Sequence, residues 1–172
     1  MKAAMSELVT NESVESQRSR VRDGIADKRG GVVSPLFEAL LECPPIADAA
    51  SNMGASIRFE GTLPAALREV AICTVAAHWR VEYEWNAHAH LALQAGVSQD
   101  ALDAILARKP LPPGELVQQA VHAFMAGLLQ EGRANAAHRQ QIVDLLGQTQ
   151  AVELVAIAGY FSLASFVLNT FA

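Results

Sequence analysis

A chain of 172 residues that is 51% hydrophobic but only 6% aromatic has the length of one domain with a short appendage, and its core must be built from small and branched aliphatic side chains. Its formal charge is −5, and its ten arginines and three lysines are scattered along the chain, which leaves no electrostatic footprint for nucleic acid. The first thirty residues lack the apolar stretch of a secretory signal, so the expected compartment is the cytoplasm.

Residues 1–30 read as a polar N-terminal arm, either mobile or a partly ordered helix that wraps a neighbour, ended by Gly30-Gly31. Residues 31–172 form the helical domain. Ser34-Pro35 suit the N-cap and first position of a short helix through Leu41, which Pro44-Pro45 stop. A second helix runs from about Ile46 to Phe59, with Ile46, Ala50, Met53 and Ile57 on one stripe. Pro64 starts a third that reaches Trp79, Arg80-Val81 make a tight corner, and Glu82 opens a partner helix that ends at Gly96. Ser98 caps a helix to Ala107, and Lys109 to Gly114, with three prolines, is the clearest linker.

Beyond it, Glu115 to Gln130 is amphipathic, with Leu116, Ala120, Ala123, Phe124, Gly127 and Leu128 inward. Asn135 or Ala136 opens a helix through Leu146, and Thr149 caps the last. Ala151 to Ala172 is long and apolar, yet Glu153, Ser162, Ser165 and Asn169 and the absence of flanking basic residues favour a buried helix, within the chain or between subunits, over a membrane span. No strand-like alternation occurs, so the fold class is all-α.

The candidate site lies at the corner. Glu84 and His88 are four residues apart and share a helix face, and folding the two helices into a hairpin lets Glu69 join them. Two carboxylates and an imidazole in an apolar interior are costly unless paired or used. Arg68 and Arg80 are near enough in sequence to hold a substrate carboxylate, and Trp85, next to Glu84, is the aromatic residue placed at a ligand. His78, at a helix end, suits a charged imidazole. His90 reads as structural or interfacial, His122 and His138 as surface or half-buried, and Tyr83, Tyr160 and Phe161 as core or pocket wall. Glu69, Glu84 and His88 could bind a divalent ion, but no metal-ligand motif such as His-Glu-x-x-His is present, and no metal is expected.

This segment resembles the carboxymuconolactone decarboxylase/alkylhydroperoxidase D (AhpD-like) superfamily. That motif is a helix-borne Glu, a Cys-x-x-Cys starting twelve residues later, and a His four residues after the second Cys. Glu69 and His88 match, whereas Val81 and Glu84 stand at the cysteine positions. Gln94-Ala95-Gly96-Val97-Ser98 resembles the family's helix end, and Val152 to Val155, Gly159-Tyr160-Phe161 and Leu168-Asn169 resemble its C-terminal helix, so the likeness spans roughly Val33 to Asn169. It implies an AhpD-like helical bundle with a central hairpin and, from Glu82 to His88, the cysteine-free branch.

Without paired thiols, dithiol peroxidase chemistry at this motif is excluded. The resemblance implies a cofactor-free lyase or decarboxylase, in the setting of aromatic catabolism, on a small carboxylated lactone or keto-acid-like compound. His88 would donate or relay a proton to the carbanion left by CO2, Glu69 would orient it, and Glu84 would act as a second acid/base or anchor. Two alternatives stand beside it: a non-catalytic oligomeric binding or stress-associated protein, and a residual peroxidase through Cys73. Cys43 and Cys73 otherwise read as reduced packed thiols. Family likeness and apolar surface together imply a homo-oligomer, trimer or hexamer against dimer, with the C-terminal helix and the Glu82 to Gly96 helix at the interface.

Overall fold

The computed structural model describes residues 13–172, so the part of the N-terminal arm before Ser13 lies outside the described residues. Among these are eight α-helices and no strand: α1 (Val14–Asp27), α2 (Pro35–Leu40), α3 (Pro44–Ala55), α4 (Ala65–Trp79), α5 (Glu82–Gln94), α6 (Gln99–Leu106), α7 (Leu116–Glu131) and α8 (Ala136–Phe171), with a π-helical turn at Ser56–Glu60. They form the expected all-α fold with a central hairpin. Two compact units meet in sequence at Asn52/Met53, within α3 and later than the glycine pair.

In the first unit, the described part of the arm is a packed helix. Ser13 caps α1 by accepting from the Ser16 N–H at 3.1 Å, and Val21 and Ile25 are buried. Arg22 pairs with Glu38, Arg18 donates to the Leu41 carbonyl at 3.1 Å, and the Arg29 guanidinium lies 4.2 Å from the centre of the Phe37 ring. Pro44 and Pro45, which stop α2, are also the first residues of α3, where proline's missing N–H has no partner to lose. The apolar stripe read along this helix is not a core stripe: Ile46 and Met53 are 51% and 44% exposed, and the buried side chains are the small Ala47, Ala50 and Ser51.

The second unit is organised around α4, which is buried at every residue from Glu69 to Ala77 and packs against α5, α6, α7 and α8. Its residues are small or β-branched, a composition that lets helices approach closely from several sides. α8 runs beside α4 in the same direction and fastens both ends. At the start, the Glu153 carboxylate accepts from the Thr62 N–H at 2.9 and 3.0 Å, the Thr62 hydroxyl at 2.8 Å and the Leu63 N–H at 3.0 Å. At the end, Trp79 donates from Nε1 to Ser162 at 2.8 Å, and Asn169 donates to the Trp79 carbonyl at 2.9 Å. Gly54 also meets α8: a Cβ there would fall 2.3 Å from the Tyr160 hydroxyl, so only glycine fits.

Glu153 thus anchors the approach to α4 from ninety residues away. Although partial burial opposes its charge, the hydrogen bonds from Thr62 and Leu63 outweigh this and hold its pKa below the usual carboxylate value. We expect Glu153→Gln to cost about 1 kcal/mol, as for loss of a helix cap. A carboxylate with a depressed folded-state pKa stabilises at neutral pH and loses that contribution as pH falls through the folded value. Urea titrations at pH 7 and pH 3 should therefore separate mutant from wild type at the first pH and bring them together at the second.

The expected break after Leu146 is present within α8: Gly147 takes a non-helical, left-handed-φ conformation (φ 83°, ψ 167°) that favours glycine, so the division falls there and not at Thr149. Two other expectations are corrected. Leu116 is 75% exposed, since α7 turns Ala120, Val121, Phe124 and Met125 inward. Tyr83 is 46% exposed and so lies outside the core, because α5 directs Glu84 and His88 to the interior instead.

Candidate functional site

The hairpin corner sets the site. α4 ends at Trp79, Arg80 takes the left-handed conformation (φ 56°), and the Val81 N–H returns to the Ala76 carbonyl at 3.0 Å. The reversal lays α5 along α4, so the inward face carrying Glu84 and His88 meets Glu69. All three are buried, at 3%, 7% and 4% exposure for Glu69, Glu84 and His88.

His88 lies between the carboxylates. Its Nδ1 is 2.7 Å from Glu69 Oε2, and its Nε2 is 3.4 Å from Glu84 Oε2. Arg68 Nε donates to the other Glu69 oxygen at 3.3 Å. Charges therefore alternate along the row Arg68, Glu69, His88, Glu84. The Phe161 ring meets the imidazole edge-on with centroids 5.2 Å apart, which fixes the ring plane. Burial opposes charge on His88, but hydrogen bonds to Glu69 and Glu84 and their negative charges prevail, holding the pKa above the ordinary imidazole value. A protonated ring satisfies both carboxylates by donating from both nitrogens.

Access is through Glu69. With Arg68 it lines a cleft of about 390 Å³ whose other walls include Arg58, Phe59, Leu91 and Gln94, and His88 and Glu84 lie behind it. Arg80 and Trp85 are not brought to this cleft. They line a groove of about 640 Å³ at the end of α4, in which neither Glu69, Glu84 nor His88 takes part. Successive residues of a helix point about 100° apart, so Trp85 faces away from its neighbour Glu84.

Cys73 lies one turn after Glu69, fully buried. Burial, reinforced by the Glu69 charge, pushes its thiol up to about 12, away from the thiolate that peroxidase chemistry needs. Cys43 is exposed. No group of three or more His, Cys, Asp or Glu side chains among the described residues has metal-binding geometry.

Two histidines depart from expectation. At His78 partial burial and the nearby Arg108 lower the pKa, which opposes the charged cap expected there. His122 is buried rather than superficial: its Nδ1 is 2.9 Å from the Thr74 hydroxyl, and its Nε2 is 3.1 Å from the Lys109 carbonyl. No local spacing announces that contact, because Thr74 and His122 are forty-eight residues apart. His90 pairs with Gln94 on the exposed side of α5.

Residues 44–126 match the family described as "Carboxymuconolactone decarboxylase family". The match contains α4, α5 and every member of the Arg68, Glu69, His88, Glu84 row. No curated protein matches the chain.

Proposed function

We propose, from the match of residues 44–126 to the carboxymuconolactone decarboxylase family and the absence of a Cys-x-x-Cys pair there, that the protein is a cofactor-free acid-base lyase that decarboxylates a small carboxylated lactone or β-keto acid. The carrying observation is the buried imidazole held between two carboxylates, one of which opens to a cleft with an arginine at its side.

The roles follow from the order of the groups. Loss of CO2 from such a substrate leaves an electron pair delocalised into the adjacent carbonyl as an enolate. Arg68, and Arg58 across the cleft, stabilise the developing oxyanion. The proton for the carbanion carbon comes from the Glu69/His88 pair: His88 passes its Nδ1 proton to Glu69, which faces the cleft and delivers it. His88, which keeps its Nε2 proton toward Glu84, is then recharged at Nδ1 by a proton from solvent that returns through Glu69, so each turnover consumes one proton and releases one CO2. Of the two roles expected of the imidazole, donor or relay, this reading takes the relay, and Glu69, expected to orient it, becomes the group touching substrate. The test is CO2 release from a panel of carboxylated lactones and β-keto acids. Arg68-dependent turnover supports the proposal, and its absence across the panel leaves the binding-protein alternative in its place.

The same reading includes a homo-oligomer. α8 is long and apolar enough to cross a membrane, yet half of its most apolar window is buried in the chain. The remaining stripe of Val152, Val155, Leu163 and Phe166, 57%, 49%, 42% and 50% exposed, recurs at helical spacing. A second copy would cover it. Light scattering should return a multiple of 18.4 kDa, and Phe166→Glu should shift it toward the monomer. A wild-type monomer at micromolar concentration would reject the oligomer.

A further inference from the structure

We propose that the groove at the end of α4, bounded by the start of α5 and the end of α6, binds a small aromatic monocarboxylate at a site separate from the Glu69 cleft. Its volume of about 640 Å³ lies in the range of small-molecule pockets. Its floor is apolar, made by Ala76, Ala77, Val81 and Leu106, and the half-buried Trp85 forms part of its wall.

The backbone marks this groove. Among the described residues two that are not glycine have positive φ, Arg80 at 56° and Arg108 at 54°, and both line it. Glycine would hold either conformation with less strain, so an arginine there is kept for its side chain. For Arg108 the structure supplies a reason: its guanidinium donates to the Ala77 carbonyl at 3.1 Å and the His78 carbonyl at 3.0 Å, closing the end of α4. For Arg80 it supplies none. Its backbone N–H donates to the Ala76 carbonyl, but no hydrogen bond or ion pair to its guanidinium exists among the described residues, and the residue is exposed at the groove. A planar guanidinium without a partner, in a groove that an indole also lines, is suited to a planar carboxylate carried on an aromatic ring.

The remaining polar groups narrow the ligand. Glu82 and Asn86 also line the groove, so two guanidinium groups face one carboxylate. Glu82 and Glu84 already occupy the first turn of α5, where a helix would otherwise attract phosphate. A monoanion is thereby favoured over a dianion. The assignment does not depend on the acid-base reading, because no member of the Glu69, His88, Glu84 row lines the groove.

Calorimetric titration of the full chain with 2-naphthoate tests it, with 2-naphthamide and 2-naphthyl phosphate as comparisons. We expect saturable binding of naphthoate, with the amide and the phosphate each weaker by about tenfold, the scale of one charge-assisted pair. Arg80→Gly should weaken naphthoate by at least about tenfold while leaving the thermal midpoint unchanged or about 2 °C higher, since it relieves the left-handed residue. Arg68→Gln should leave naphthoate binding intact, because Arg68 lines the other cleft. The site is overturned if naphthoate does not bind, if binding survives Arg80→Gly, or if Arg68→Gln abolishes it. Equal binding of the amide, or tighter binding of the phosphate, overturns the carboxylate assignment.

Discussion

Glu69→Ala should lower the unfolding free energy by about 3–5 kcal/mol, the usual cost of removing one partner from a buried ion pair, and therefore a large share of the roughly 5–15 kcal/mol that stabilises a typical domain. The truncation leaves the His88 ring with its 2.7 Å acceptor gone and removes the acceptor of Arg68. The His88 ring can escape only by losing its proton, so the deficit depends on pH. A histidine whose folded-state pKa is raised stabilises fully below its unfolded value near 6.5, and this contribution fades as pH rises through the folded value. Urea titrations should accordingly show the widest gap between mutant and wild type at about pH 5.5–6.5 and a smaller one at pH 9. Replacing Glu69, Glu84 and His88 together by leucine should restore most of the lost stability, because a buried ionic cluster is seldom worth more than well-packed hydrophobic residues. A cluster that folding can do without is one that chemistry has reason to keep.

The second large effect is on turnover. His88→Gln preserves approximate shape and one donor but cannot hold and recover the proton that Glu69 delivers. On any lactone or β-keto acid that the wild type decarboxylates, kcat should fall by about 10²- to 10⁴-fold, the range expected for loss of a positioned acid-base group. KM should change little, since the imidazole lies behind Glu69 and does not line the cleft. Steady-state CO2 release gives both constants. A His88→Gln enzyme with unaltered kcat would remove the relay from the mechanism.

What could be read in the sequence was what is local. The hairpin follows from Pro64, the Trp79-Arg80-Val81 corner and Gly96, and the Glu84/His88 pair from a spacing of four on one helix. The register of Glu69 against that pair was carried by the motif resemblance, since helical periodicity fixes a face but not what lies across from it. The unread features depend on what packs from afar. Glu153 holding Thr62 and Leu63, and Thr74 meeting His122, join residues separated by tens of positions. Arg80 and Trp85 adjoin the site in sequence yet line another cavity, because a left-handed residue and a rotation of about 100° per helical position redirect them. Ile46 and Leu116 show the limit of pattern alone: an apolar residue on a helix stripe is buried only where another element reaches it.

The central claim, that His88 is a charged imidazole held between Glu69 and Glu84 as a proton carrier, is tested most directly by ¹⁵N NMR titration of the histidine rings, with His88→Gln assigning the resonance. The account predicts that both ring nitrogens of His88 remain protonated above the ordinary titration range near pH 6.5, and that Glu69→Gln moves the midpoint downward. An imidazole that titrates at or below 6.5 and ignores the loss of Glu69 would contradict it.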